Sequence, residues 1–138
     1  MADMDDDVRA LLTTTRTWAV VGCSPDPARD SNRIAAMLKH RGFAIVPVNP
    51  AEEEILGEPC YPTVADIPED VQVDVVDVFR RSELAGAHVD EAIARGVAGV
   101  WLQLGVIDRE AEKRARHAGL RFVMDRCPAI ELPRLATG

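Results

Sequence analysis

The fold is decided by one stretch of the chain, Val20-Val21-Gly22-Cys23-Ser24-Pro25-Asp26-Pro27-Ala28-Arg29-Asp30-Ser31-Asn32-Arg33. In it, an apolar strand breaks at a glycine, crosses a loop that contains prolines, and enters a helix. Backbone N–H groups and the positive end of the helix then face the same point, which favours an anion such as phosphate. The stretch therefore predicts a class of site, and the ligand depends on the rest of the chain.

The composition is that of one compact domain. The chain has 138 residues, 47% of them hydrophobic, which is enough to bury a single core. No apolar run approaches the roughly 18 residues that span a bilayer, and the acidic start over residues 1–7 is unlike a basic signal peptide. We therefore expect a cytoplasmic protein with no membrane partner.

Charge and cysteine content exclude further classes. The net charge of −7 argues against a nucleic-acid partner, because such binding needs a dense basic surface. Cys23, Cys60 and Cys127 are scattered, with no histidine at ligand spacing, so they predict neither a disulfide framework nor a metal site. An anionic ligand would need arginines placed locally.

Strand and helix patterns alternate along the chain. Ser31, Ser82 and Asp108 are expected to cap helices, and a short N-terminal helix is expected over about residues 5–16. The segment 51–72 has no clear period apart from a turn at Leu56-Gly57 and room for a helical turn at 63–66. Apolar runs predict five strands, at 17–21, 43–48, 73–79, 98–102 and 120–124.

This alternation predicts an α/β fold, a single Rossmann-like doubly wound domain over residues 1–138 with a core of about 17–135. The sheet would be five-stranded and mainly parallel, with helices on both faces. Ligands of such sheets bind outside the carboxyl ends of the strands. The residues found there are Gly22, Cys23, Ser24, Val48, Asn49, Arg80, Arg81, Gln103, Asp125, Arg126 and Cys127.

A dinucleotide such as NAD(P) is disfavoured at two places. The G-x-G-x-x-G fingerprint would require glycines where Ser24 and Pro27 stand. The carboxylate that binds ribose after the second strand is replaced by Asn49. A nucleotide-dependent enzyme therefore stays an alternative and is not the leading hypothesis.

Five short blocks carry a resemblance to a known family. They resemble the small stand-alone bacterial CoA-binding proteins over about residues 17–135, and that family is similar in fold to the N-terminal domain of the succinyl-CoA synthetase α subunit. The blocks are Gly22-Cys23-Ser24-Pro25 with 29–32, Pro47-Val48-Asn49-Pro50 with Leu56-Gly57, Asp77-Val78-Phe79-Arg80-Arg81, Trp101-Leu102-Gln103-Leu104-Gly105-Val106 and Val123-Met124-Asp125-Arg126-Cys127-Pro128.

The resemblance implies CoA or acyl-CoA lying across the strand ends, with its phosphates over the Gly22–Ser24 turn. Arg29, Arg33 and Arg80 would pair with phosphate, since guanidinium offers bidentate donors. The binding residues that the resemblance suggests are Gly22, Cys23, Ser24, Pro25, Arg29, Ser31, Asn32, Arg33, Val48, Asn49, Val78, Phe79, Arg80, Gln103 and Arg126.

No acid, base and nucleophile set can be assembled from the sequence. His40, His88 and His117 fall within predicted helices and match no catalytic motif. We therefore expect CoA binding without autonomous catalysis and without a metal. A small NAD(P)- or nucleotide-dependent enzyme, a ligand-free interaction module and a homodimer remain open.

Two cysteines are candidates for thiol chemistry. Cys23 and Cys127 are predicted at strand ends near a helix N-terminus, where the pKa of a thiol can be lowered. A reactive thiol or a mixed disulfide with CoA is therefore an open hypothesis. With a strand order of 3-2-1-4-5, one strand would separate the two residues by about 10 Å, too far for a disulfide between them.

Overall fold

The secondary structure alternates as the sequence predicts. A computed structural model describes residues 3–137, so the predicted limits at 1 and 138 lie outside the described residues. No helix in that range is long and apolar enough to cross a membrane. The elements are α1 Met4–Thr14, β1 Thr17–Val21, α2 Asp30–His40, β2 Ala44–Val48, β3 Glu54–Ile55, β4 Glu58–Pro59, β5 Val75–Val78, α3 Ser82–Arg95, β6 Gly99–Leu102, α4 Arg109–His117, β7 Arg121–Val123 and α5 Pro128–Thr137.

The main sheet has five parallel strands in the order β2-β1-β5-β6-β7. The Rossmann-like α/β prediction is confirmed. The strand order 3-2-1-4-5, from which the separation of Cys23 and Cys127 was predicted, is wrong. Counted over the five main strands, the order is 2-1-3-4-5, because the chain returns from the edge strand β2 past β1 before it forms β5. The strand order therefore reverses between β1 and β5, and their carboxyl ends lie side by side.

Helices cover both faces of the sheet. On one face, α3 and α4 pack on Val76, Val78 and Val100. On the other, α1, α2 and α5 cover Trp18 and Trp101, whose rings lie 5.5 Å apart. Every residue of β5 and β6 is buried, which explains why their sequences are apolar except at Asp77.

Two of the three predicted helix caps are wrong. The Asp108 carboxylate does cap α4, accepting from the Ala111 N–H. Ser31 lies inside α2, however, and its hydroxyl accepts from the Ser24 N–H at 2.9 Å. Ser82 is the first residue of α3, and its hydroxyl bonds the loop after β6 at Gly105 and Ile107. Both serines hold a strand-end loop onto a helix.

The segment 51–72 forms a small hairpin followed by a single helical turn. Leu56 and Gly57 have φ angles of 55° and 76°, the pair of positive values that a two-residue hairpin turn requires, so the predicted turn is confirmed. The predicted helical turn is also confirmed, as a 3-10 turn at Val64–Asp66 capped by the Thr63 hydroxyl. The hairpin strands were too short to show a period in the sequence.

The C-terminal segment forms a helix that the sequence did not predict. Pro133 lies inside α5, and an internal proline is a signal against helix. Leu132 and Leu135 pack against the core. Ile130 does not, since 48% of it is exposed, because it lies on the outer face of the helix.

Replacing Gly22 by alanine should destabilise the fold by about 2–4 kcal/mol. Its φ of +81° would strain any L side chain by about 1–2 kcal/mol, and an added Cβ would lie 2.8 Å from the Phe79 carbonyl oxygen. Urea unfolding measures the loss. Gly96→Ala is the matched control, since Gly96 has a φ of +76° but no atom within 4 Å of the added Cβ. Equal losses would contradict the close approach.

Candidate functional site

A cleft of about 510 Å³ opens where the loops after β1, β2 and β5 meet. We call it the switch-point cleft, because it lies where the strand order reverses, the usual ligand position in an open parallel sheet. It is lined by Gly22, Ser24, Arg29, Asn49, Pro50, Phe79, Arg80, Arg81 and Leu84. Tertiary structure thus brings together residues from three predicted strand ends.

The glycine turn is locked onto both neighbouring strands. The Gly22 N–H donates to the Val48 carbonyl at 2.9 Å, and Gly22 lies directly against the Phe79 carbonyl. Asn49 adds a third connection, since its amide nitrogen donates to the Cys23 carbonyl at 2.9 Å. Asn49 therefore holds the two loops together, a role distinct from that of a ribose-binding carboxylate.

The polar groups of the turn bond mostly to one another. The Ser24 N–H donates to the Ser31 hydroxyl, and the Ser24 carbonyl accepts from the Asn32 amide, each at 2.9 Å. Both Ser31 and Asn32 are buried. These two residues therefore shape the turn from beneath, while Pro25 is exposed above it.

The two helices that begin beside the cleft have no side-chain cap. Arg29 is the N-cap residue of α2 and Arg81 that of α3, and neither side chain bonds the helix end. By contrast, Asp3 and Asp108 cap α1 and α4. Uncapped N–H groups at a helix start are donors for an anion. The cleft therefore presents two such ends.

Arginines add positive charge at the same place. Within residues 3–137, the guanidinium groups of Arg29 and Arg80 have no hydrogen-bond or ion-pair partner. Arg81 lies 3.4 Å from Glu83 in an exposed ion pair. Arg33 is bound to Asp30 and to the Ala28 carbonyl. Arg29 and Arg80 are thus the two free cations of the cleft.

Three other candidate residues lie away from the cleft surface. Val48 and Val78 are buried within the sheet. The Arg126 guanidinium is held by Asp5 at 3.2 Å and Glu131 at 3.3 Å, and Arg126 lines a separate depression beside Met4. The structure therefore does not bring Arg126 to the switch-point cleft.

A second cleft of about 450 Å³, here the Gln103 cleft, adjoins the first. The two clefts share Phe79, Arg80 and Arg81, so a single extended molecule could occupy both. Gln103 is nearly buried in its floor, and Cys127 is half-buried at its wall. Its remaining lining residues are Asp30, Arg33, Ile34, Leu104, Gly105 and Val106.

Asp77 is the residue that sequence reasoning missed. It lies in the middle of β5 with no exposed surface, and burial raises its pKa from 3.8 to about 8 although a hydrogen bond from Gln103 opposes the shift. A single carboxylate inside the buried run Val75–Val78 was the available signal. The family resemblance implies no role for Asp77, so the sequence alone did not predict one.

The structure speaks against the hypothesis that the pKa values of the Cys23 and Cys127 thiols are lowered. Burial raises the pKa of the Cys23 thiol to about 12, with the charges of Cys60 and Asp77 adding to the shift. Burial also raises the pKa of Cys127, against hydrogen bonds from the Ala129 and Ile130 backbone. Two strands, β5 and β6, lie between the strands that precede Cys23 and Cys127, whereas the predicted order placed one strand between them. Desolvation by the helices outweighs the helix-end effect.

The histidines are dispersed among the helices. His88 pairs with Glu91 at 2.8 Å within α3, and His40 and His117 are exposed at the ends of α2 and α4. In the described range 3–137, no group of three or more His, Cys, Asp or Glu side chains is arranged to hold a metal ion.

The fold and cleft define a Rossmann-like protein with an open cleft at its topological switch point. The chain belongs to the CoA binding domain family, whose model matches residues 16–133. The uncharacterised protein YneT of Bacillus subtilis is 31% identical over 121 residues, 88% of each chain. A hypothetical protein of Pyrococcus horikoshii superposes with a TM-score of 0.89 at 43% identity, over 96% of this chain and 92% of that one.

A larger enzyme also contains a related segment. Acetate–CoA ligase (ADP-forming) I of Archaeoglobus fulgidus is 31% identical over 120 residues. The match spans 79% of this chain but only 17% of the ligase. The likeness therefore concerns one part of that enzyme.

Native Cys23 should resist alkylation by iodoacetamide at about pH 8. Its thiol is buried and protonated there, since its pKa is raised to about 12 and the thiolate is the reactive form. Intact mass and peptide mapping measure the reaction. Unfolding in urea should expose all three thiols to the reagent, and rapid labelling of Cys23 in the folded protein would contradict this expectation.

Asp77→Asn should gain stability relative to the wild type as the pH rises. The folded-state pKa of Asp77 is raised to about 8 from 3.8, so the folded protein holds a proton that the unfolded chain releases within that window. Wild-type stability therefore falls across it, and the variant lacks this loss. The difference in Tm, variant minus wild type, should grow between about pH 5 and 8. A constant difference would contradict the raised pKa.

Proposed function

We propose that this protein binds CoA or acyl-CoA in the switch-point cleft, without catalysing a reaction on its own. Membership of the CoA binding domain family supports the ligand class. The observation that carries the proposal is the pairing of two uncapped helix ends with the free guanidinium groups of Arg29 and Arg80.

The charge balance supports an anionic ligand at this place. The whole chain carries a net charge of −7, yet Arg29, Arg80 and Arg81 converge on one cleft. Backbone N–H groups of α2 and α3 and guanidinium donors are the groups that bind phosphates in proteins. The phosphates of the ligand would lie between Arg29 and Arg80, over the Gly22 turn.

The remaining binding residues divide into contact and support roles. Ser24, Phe79 and Gln103 line the clefts and would contact the ligand. Cys23, Ser31, Asn32 and Asn49 would support the turn through their hydrogen bonds and burial. The match to one segment of an acetate–CoA ligase supports CoA as the ligand class.

The absence of autonomous catalysis is part of the proposal. The two thiols near the clefts, those of Cys23 and Cys127, are held in the protonated form by their raised pKa values. A protein of this kind would store, sense or present its ligand. Its three free cysteines are consistent with the reducing cytoplasm in which we place it.

CoA should raise the melting temperature of the purified protein. Ligand at 100 times its Kd adds about 2.7 kcal/mol, or roughly 10 °C for a domain of this size. Arg80→Ala should weaken CoA binding about 10-fold or more, because a charged donor to phosphate is lost. Calorimetric titration measures the change.

Arg41→Ala is the matched control for that titration. Arg41 is exposed at the opposite end of α2, so its loss should leave the Kd unchanged. A shift with NADH but none with CoA would instead favour a small nucleotide-dependent enzyme. No shift with either would favour an interaction module, and turnover in an acyl-CoA ligase assay would overturn the absence of catalysis.

A further inference from the structure

The floor of the Gln103 cleft carries one polar side chain among apolar walls. Gln103 follows β6 and is only 6% exposed. Its amide nitrogen Nε2 donates to Asp77 Oδ1 at 2.9 Å. Ile34, Phe79 and Leu104 supply apolar surface around it. A molecule in this cleft therefore meets the Gln103 amide as it reaches the sheet.

Asp77 has only one hydrogen bond, and its second oxygen has no partner. Within residues 3–137, Oδ2 of Asp77 is the one buried side-chain oxygen or nitrogen that lacks a partner. The residue itself has no exposed surface. A buried carboxyl group left half-satisfied is costly, and such groups call for an explanation beyond stability.

Only one end of the Gln103 amide can form a hydrogen bond with Asp77. In the observed orientation the nitrogen end is bound and the carbonyl oxygen Oε1 is left. That oxygen is not among the buried atoms without a partner in the described range, so it is accessible from the cleft that Gln103 lines. The amide thus presents one hydrogen-bonding end outward.

We propose that Asp77 is a positioning residue that acts through Gln103: it holds one end of the amide in the sheet so that the other end is presented to the ligand. The orientation depends on the proton of the carboxyl group. A carboxylate accepts from Nε2 and turns the carbonyl of Gln103 outward. A neutral carboxyl group can donate to Oε1 instead, which turns the NH₂ group outward.

The exchange between the two orientations falls in an accessible pH range. Burial raises the pKa of Asp77 to about 8, so the neutral form dominates below that value and the carboxylate above it. The titratable groups that face Asp77 are the thiols of Cys23 and Cys127, whose own pKa values are raised in part by its charge. Asp30, at the start of α2, faces Cys127 in turn. Arg33 and Arg80 lie at the rim of the cleft.

The inference rests on the proposed function for the identity of the ligand. Beyond its phosphates, CoA continues as an uncharged arm with two amide groups and a terminal thiol or thioester. The Gln103 cleft adjoins the switch-point cleft through Phe79, Arg80 and Arg81. Gln103 would therefore hydrogen-bond an amide or thioester group of that arm, while the phosphates lie outside its reach.

The first experiment needs no ligand. The ¹⁵N–¹H signals of the Gln103 side-chain amide, assigned by their loss in Gln103→Leu, should shift with a midpoint near pH 8 in the wild type. The shift should be absent in Asp77→Asn, which retains the shape but carries no titrating group. Signals that stay constant from about pH 6 to 10 in the wild type would overturn the positioning role.

The second experiment compares two ligands by calorimetry. One is a CoA analogue without the thiol, and the other is ADP, which has phosphates but lacks the arm. The ratio of their Kd values should change about 3- to 10-fold across pH 8 in the wild type, the size of one hydrogen bond. It should stay constant in Asp77→Asn. Gln103→Leu should weaken the analogue by a similar factor and leave ADP unchanged.

The two experiments separate failure of the inference from failure of the proposed function. If neither the analogue nor ADP binds, the proposed function is wrong, and the amide titration still decides whether Asp77 positions Gln103. A ratio of Kd values that changes with pH equally in wild type and Asp77→Asn would overturn the inference. Retained CoA binding in that case leaves the proposed function intact.

Discussion

The close approach of Gly22 to the Phe79 carbonyl is the constraint on which the site depends. It is possible only because Gly22 has no Cβ and adopts a φ of +81°. The ends of β1 and β5 can then lie side by side, and α2 and α3 start from neighbouring points on opposite faces of the sheet. Without this contact the switch-point cleft would not form in its present shape.

Shape and charge are supplied by different groups in the cleft. Ser24, Ser31 and Asn32 form hydrogen bonds with one another, which makes the turn rigid before any ligand binds. The positive potential comes from the helix ends and from the guanidinium groups of Arg29 and Arg80, which stay free in the described part of the chain. Such preorganisation lowers the entropy that binding must overcome.

Asp77 shows the opposite balance between stability and function. A hydrophobic residue in its place would suit the buried strand better, since half of the carboxyl group has no partner in the described structure. Sites that depart from good packing and complete hydrogen bonding tend to be functional. This exception lies directly beneath the Gln103 amide, at the base of a cleft that adjoins the switch-point cleft.

The α/β class, the five strands of the sheet and the glycine turn can all be predicted from the sequence, because they follow from local periodicity and from backbone freedom at Gly22. Through the family resemblance the sequence also suggests Arg29, Arg33 and Arg80 as phosphate partners, and this stays a prediction. Three features are seen only in the folded chain: the strand order, the uncapped ends of α2 and α3, and the pairing of Arg126 away from the cleft. Those features depend on which residues meet across the sheet. The raised pKa values of Asp77 and Cys23 also come from burial by such neighbours and not from the local sequence pattern.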